Sequence, residues 1–360
     1  MGSSAARTLV SKTRNTSSIL VPLTKTMTNI NKQILDNLRA YFVDDSLLPI
    51  KDSMLEIGRV TDFKLVYGET YDTFGLTIDS LKYYFFLSVL NSLLAETGTK
   101  TAGTVIVGDV ASVRNKSVDE EGVKKQISKN TEMQSKICAT YRTALKFERM
   151  SDLFETSTFK EALANVRRVF SESHEMADLA EKTVLKNKLK QESEAEFQYS
   201  LEEVALITGY DIKVGPKREI NYDRMANIVR KSLKRLPLQG FYLKPTYPLG
   251  LQFDYLLKHP EVEKYGLTPY KAGSNKLQNF RVVLGKTSLN QIEELIKSSF
   301  CPADITLPNA VRELYLTGLL AKALITKDLG LLANESNFNL PSGNDVIRLV
   351  QKYIFEPLEL

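Results

Sequence analysis

The hydrophobic positions of this chain follow two rhythms, and their order predicts an α/β fold. Gly103-Thr-Val-Ile-Val-Gly-Asp109-Val is a continuous β-branched run, as expected of a strand buried on both faces. Phe63-Lys-Leu-Val-Tyr-Gly68 is a shorter β-prone run ending at a glycine. Between them, Leu81 to Glu96 carries apolar residues at helical spacing. Strand, glycine-containing turn, helix and strand make a βαβ unit, and such a unit implies a parallel sheet. Residues 29–57 read as short helices, and 116–198 mostly as helix, with Leu, Val, Met and Phe at three- and four-residue spacing among dense charges. Tyr210-Asp-Ile-Lys-Val-Gly215 reads as a strand, Ile220 to Leu236 as a helix, and Phe280-Arg-Val-Val-Leu-Gly285 as another β-prone run. Residues 288–299 and 308–326 are helical in pattern, and Asp345 to Phe355 closes the chain with one more helix. The alternation predicts a doubly wound parallel sheet with a helical insertion at 116–198 and a helical C-terminal tail.

Composition narrows this little. The chain has 360 residues, 43% apolar and 25% charged, which is an ordinary globular balance. No run approaches the ~20 apolar residues of a membrane span, so no membrane association is expected. Cys138, Cys301, His174 and His259 are scattered without metal-ligand spacing, so no metal and no cofactor are expected. Two lone cysteines suit a reducing, cytoplasmic setting. Residues 1–35 contain no Asp or Glu, a composition compatible with a mitochondrial transit peptide within 1–26 or with a disordered tail over 1–28. The net charge of +5 permits a polyanionic partner without demanding one.

The most informative stretch is Tyr199-Ser-Leu-Glu-Glu203-Val-Ala-Leu206, followed by Tyr210-Asp-Ile-Lys-Val-Gly215 and by Glu219 opening a helix. It resembles the amino-acid-binding half of tyrosyl-tRNA synthetases of the archaeal and eukaryotic type. That family has Tyr-x-x-x-Gln-x-x-Asp, a short strand ending in Val-Gly, and a Gln at the next helix start. The Tyr is kept as Tyr199, both Gln positions are carboxylates (Glu203 and Glu219), and the Asp that reads a tyrosine hydroxyl is Leu206. Val105-Ile-Val-Gly-Asp109 resembles the family's strand ending in Asp, and Cys301-Pro302-Ala303 its Cys-Pro-Ala. The resemblance implies a Rossmann-like (HUP) catalytic domain over 29–303 and a helical C-terminal region over 304–360. It also implies an ammonium site made more acidic, with Asp109, Leu206, Gly215 and Glu219 as substrate-binding positions.

The departures set the expected chemistry. The family's first signature, His-x-Gly-His, lines up with Thr73-Phe74-Gly75-Leu76, where only the glycine remains. Its second, Lys-Met-Ser-Ser-Ser, lines up with Ser274-Asn-Lys276-Leu-Gln278. Both signatures hold ATP phosphates, so their erosion weakens the case for activation by ATP. A class I core that keeps the ammonium site without ATP handling resembles the cyclodipeptide synthases, which take aminoacyl groups from charged tRNAs. Their Tyr-x-x-x-Glu pair matches Tyr199 and Glu203, one turn apart on one helix face. Their Gly-x-Ser nucleophile falls on Gly68-Glu69-Thr70, with Thr70 as the hydroxyl.

This resemblance implies diketopiperazine formation from aminoacyl-tRNA. Extra acidity in the pocket makes an arginyl group the natural candidate for one substrate, since a carboxylate pairs bidentately with guanidinium. A divergent aminoacyl-tRNA ligase and a non-catalytic synthetase paralogue are the alternatives. Arg224, Arg230, Lys231, Lys234 and Arg235 cluster on one helix and are expected to contact tRNA, with a solvated helix face as the bland alternative. Asp109 is equally well placed to cap a following helix. Homodimer and monomer both stay open.

Overall fold

A computed structural model describes residues 29–41, 62–69, 76–96, 100–107, 109, 120–186, 193–210, 220–235, 240–243, 267–272, 277–282, 284–285, 288–297, 307–335 and 338–360. In chain order the elements are α1 (Asn29–Tyr41), β1 (Asp62–Glu69), α2 (Ile78–Ala95), β2 (Lys100–Val107), α3 (Glu120–Tyr141), β3 (Leu145–Arg149) and α4 (Met150–Phe154). Next come α5 (Ser157–Glu172), α6 (His174–Lys186), α7 (Ser193–Gly209), α8 (Ile220–Ser232), β4 (Gly240–Leu243), β5 (Leu267–Ala272) and β6 (Leu277–Val282). The chain continues with α9 (Leu289–Lys297), α10 (Leu307–Thr326), a 3-10 turn (Leu329–Leu332) and α11 (Gly343–Val350). A π turn (Gln351–Phe355) then leads into α12 (Glu356–Leu358).

Four strands pair in parallel in the order β3-β2-β1-β4. The β-branched run of β2 lies near the middle of the sheet, and Thr104, Val105, Ile106 and Val107 are all buried. Successive side chains of a strand leave opposite faces, so this one strand serves two cores. Val105 and Val107 join a core with residues of α1, α2, α3, α10 and α11. Ile106 joins the other, built from α5, α6, α7 and α8. The sheet therefore separates a large layer that includes the C-terminal helices from a four-helix layer inserted between β3 and β4.

Helix α2 is apolar around most of its circumference, and a helix of that kind must be covered on all sides. Tyr83, Tyr84, Phe85 and Phe86 are each at most 1% exposed. Its lysine, Lys82, is buried as well and pairs with Glu313 of α10. A Cβ at Gly103 would sit 2.4 Å from Asn91 Nδ2 and 2.6 Å from Leu145 Cδ2, so glycine lets β2 lie this close to α2 and β3.

Four features depart from the sequence expectations. Residues 116–198 are largely helical, yet they include β3, an edge strand of the sheet. Its Leu-Lys-Phe-Glu-Arg alternates at period two only from Leu145 to Glu148, too short to stand out within a helical pattern. The Phe280 run belongs to β6, which pairs antiparallel with β5 in a separate two-stranded sheet. Strand β4 carried no signal beyond Gly-Phe-Tyr-Leu. The closing helix starts at Gly343, where Ser342 caps it by accepting the Asp345 N–H at 3.3 Å. Of the expected strand at 210–215, only Tyr210 is among the described residues, as a turn after α7.

Candidate functional site

From β1 the sheet grows outward through β2 to β3, and β4 is then laid on the opposite side of β1. Ligands of open α/β sheets bind at the carboxyl ends of the strands where the order reverses, here between β1 and β4. Gly68, penultimate in β1 and in register with Ile106, lies at that edge. Thr70, Gly215 and Glu219 lie outside the described residues, as do Thr73, Phe74, Gly75, Ser274, Lys276 and Cys301-Pro302-Ala303.

Tyr199 and Glu203 both lie on α7, one turn apart and so on one face. Glu203 is half-buried. Leu206 is buried among the apolar side chains of the four-helix layer. A leucine has no atom that can hydrogen-bond a phenol, and this one is packed within that core.

Asp109 follows the end of β2 and is 7% exposed. Its Oδ1 accepts the backbone N–H of Ser151 at 3.0 Å, and its Oδ2 accepts the Ser151 hydroxyl. Ser151 sits in the first turn of α4, directly after β3, so this carboxylate caps that turn and ties the ends of β2 and β3 together. The sequence left Asp109 open as a cap of the next helix or a substrate contact; these bonds hold it instead to α4, 42 residues on.

A second polar link continues from there. Thr156 caps α5 by accepting the Phe159 N–H at 3.2 Å, and its hydroxyl donates to the Leu153 carbonyl at 2.7 Å. The Tyr210 hydroxyl lies 2.7 Å from the same Thr156 oxygen. The end of β2 is thus connected through α4 and Thr156 to the end of α7. Sequence reading missed Ser151, Thr156 and Tyr210. Thr156 carried a usable signal, a Thr directly before an apolar-periodic run; Ser151 carried none.

The five basic residues divide. Arg224, Lys231, Lys234 and Arg235 are exposed. Among the described residues, Arg224, Lys231 and Lys234 have no carboxylate partner. Elsewhere in this layer Lys160, Arg168 and Lys182 lie within 4.0 Å of Glu155, Glu172 and Asp178. Arg230 corrects the expectation of a tRNA contact: it is only 5% exposed. Its guanidinium donates to the Ile207 carbonyl at 3.0 Å and to Asn227 Oδ1 at 3.3 Å. Arg235 donates to the Thr208 carbonyl at 3.2 Å. Both arginines cap the C-terminal end of α7, where carbonyls lack intrahelical partners and the helix dipole is negative. Lys234, with φ of 51°, ends α8, and the Arg235 N–H closes back on the Arg230 carbonyl at 3.0 Å.

Of the residues that align in sequence with the first synthetase signature, only Leu76 is among the described ones, just before α2. Leu76, at the second histidine position, is 3% exposed and belongs to the large core. Its carbonyl accepts the Leu284 N–H at 2.8 Å. The next residue, Thr77, caps α2: its hydroxyl oxygen accepts the Ser80 N–H at 3.3 Å and lies 3.2 Å from the Ser80 hydroxyl. A buried leucine offers nothing to a phosphate, and the cap occupies one amide that a helix N-terminus would offer to an anion. Among the described residues no group of three His, Cys, Asp or Glu side chains is placed to hold a metal ion. None of the described helices is long and apolar enough to cross a membrane.

No protein-family profile matches the chain, and no curated protein matches it. Solved structures do. A tyrosyl-tRNA synthetase from Archaeoglobus fulgidus, complexed with L-tyrosine, is similar at 14% identity and a TM-score of 0.51, over 91% of this chain and 97% of that one. A tryptophanyl-tRNA synthetase from Plasmodium falciparum is similar at 10% identity and a TM-score of 0.50, over 96% and 93%. A ligand-free parasite tRNA synthetase is similar at 11% identity and a TM-score of 0.51, over 96% and 92%. At these identities the likeness is one of fold: the chain has the Rossmann-like parallel sheet of class I synthetases, with a helical tail.

Proposed function

We propose that this chain handles an aminoacyl group and its tRNA, as a divergent aminoacyl-tRNA ligase on the tyrosyl- and tryptophanyl-type fold. One observation carries the reading. The fold likeness spans nearly the whole of both chains, and within it Tyr199 and the half-buried Glu203 share a face of α7. A phenol and a carboxylate one turn apart can converge on a substrate ammonium. In this reading tyrosine is a poor substrate, because leucine at position 206 offers its phenol hydroxyl no hydrogen-bond partner. Glu203 and Glu219 favour an amino acid with a second positive charge, and arginine fits that demand. The exposed Arg224, Lys231 and Lys234 supply cations for the RNA backbone.

A second reading is favoured by Leu76, whose burial in the core removes a phosphate ligand from the nucleotide side of the site. In it the chain makes no adenylate. The α-amine of one aminoacyl ester attacks the carbonyl of another, and a tRNA hydroxyl leaves. The freed amine of the dipeptidyl ester then closes the ring as the second tRNA hydroxyl leaves. No ATP is consumed, and the protein's task is to hold ester and amine together and to accept a proton, at Glu203 in this reading.

Two assays divide these readings. ATP–pyrophosphate exchange is measured with each of the twenty amino acids, and cyclic dipeptides are sought by mass spectrometry after incubation with bulk charged tRNA. Exchange that is strongest with arginine supports the ligase. Ribonuclease-sensitive cyclic dipeptide without exchange supports the second reading. Neither product, in a protein that still binds bulk tRNA, rejects both catalytic readings and leaves a tRNA-binding paralogue.

A further inference from the structure

We infer that the exposed face of α8 is a track for the phosphodiester backbone of RNA, blind to base sequence, and that Asn227 belongs to it with Arg224, Lys231 and Lys234. This deepens the tRNA-handling reading above and rests on it. Among the described side chains of α8, the exposed ones are Arg224, Asn227, Lys231 and Ser232. Arg224, Asn227 and Lys231 stand at i, i+3 and i+7, which is one stripe of a helix. The stripe covers about 10 Å along the axis, and Lys234 follows just past the helix end. Tyr222, Met225, Ala226 and Val229 take the other side of α8 into the four-helix core.

What this stripe can bind follows from its donors and acceptors. Arg and Lys side chains only donate. An asparagine amide can do either, and here the buried Arg230 decides. Its guanidinium donates to Asn227 Oδ1 at 3.3 Å. A guanidinium accepts nothing, so the Asn227 amide must keep its oxygen toward Arg230, and its NH2 is the end left for a ligand. The stripe is therefore all donor, and its ligand must be all acceptor. A phosphate backbone meets that demand; a run of base-pair edges mixes donors with acceptors. Nor does the stripe carry an exposed aromatic ring on which unpaired bases could stack. An apolar patch, as the centre of a protein interface or a membrane-surface helix needs, is missing from it too: Ile228 and Leu233 pack against the core. Lys160, Arg168 and Lys182 of the same layer each lie beside a carboxylate. Among the described residues the cations of the stripe do not, so their field is available to a polyanion.

The test measures binding of the full chain to two RNA hairpins of equal length and unrelated stem sequence, by fluorescence anisotropy across a salt series. The two Kd values are expected to agree within about 2-fold, because backbone contacts carry no sequence information. Arg224→Ala, Lys231→Ala and Lys234→Ala each weaken both complexes and lower the log–log salt slope by about 0.9. Asn227→Ala has a different signature. Its Kd rises roughly 3- to 10-fold while the slope stays, because a neutral donor displaces no counterion. Asn227→Ala also takes a partner from Arg230, so the Lys231→Ala result, from an exposed position, keeps the test independent of folding. A preference for one hairpin above about 10-fold, or a slope that none of the three cation variants changes, overturns the inference. So does capture of the chain by phosphatidylserine vesicles with no binding to either hairpin. An unchanged slope beside a positive exchange or dipeptide assay sinks the track and spares the functional reading. The expected slopes with neither product leave the track standing and sink the catalytic readings.

Discussion

At the scale of single residues, the structure separates side chains that hold the protein together from those free to meet a ligand. Tyr141 shows the first kind. Its ring is 1% exposed, and its hydroxyl donates to the Tyr353 carbonyl at 2.6 Å, inside the π turn near the C-terminal end. Burial pushes the phenol well above its ordinary pKa, so it stays a neutral donor. Tyr141→Phe is expected to cost about 1–2 kcal/mol, because the half-buried Tyr353 carbonyl loses its partner; urea unfolding followed by circular dichroism measures it. Arg230 was the least legible residue. In sequence it is one cation among five, and only the fold shows that it faces the end of α7 while Arg224 and Lys231 face solvent. Asp109 was legible as a cap or a site residue, but not as the partner of Ser151, 42 residues away. No local pattern encodes such a partner.

At the scale of elements, pattern and structure agree where an element is long or fully buried. Helix α2 and strand β2 were plain in sequence because burial demands continuous apolar runs. Helix α7 was legible through Tyr199, Glu203 and Leu206. Strand β3 was not: an edge strand needs only one covered face and tolerates Lys146 and Arg149, so its composition matches its helical surroundings. The link between β3 and α5 is the element whose failure would be easiest to see. Thr156 caps α5, braces the turn after α4, and meets Tyr210 at the end of α7. Thr156→Ala is expected to destabilise by about 1–2 kcal/mol through the lost cap. Thr156→Ser is expected to recover most of it. Thermal melting of the three proteins in parallel would check both, and equal midpoints would refute the bracing role.

At the scale of the whole molecule, β2 is a shared wall. Val105 and Val107 face one core and Ile106 the other, and the C-terminal helices α10 and α11 lie with the first. Regions with separate cores open separately. Native-state hydrogen exchange at low denaturant is expected to release the amides of α5 to α8 as a group, before those of α2 and α10. A single common opening for all six helices would contradict this. The layer expected to open first is the one that carries Glu203 and the exposed cations.

The same alternation along β2 has a consequence for the history of such a chain. Within β2, Ile106 is the residue that meets the four-helix layer, while Val105 and Val107 meet the other. Lineages can therefore drift in what they recognise while α2, α10 and the closing helices stay under a different selection. Such a partition lets an architecture persist while little of a sequence does, and at 14% identity the likeness to the archaeal structure is one of architecture.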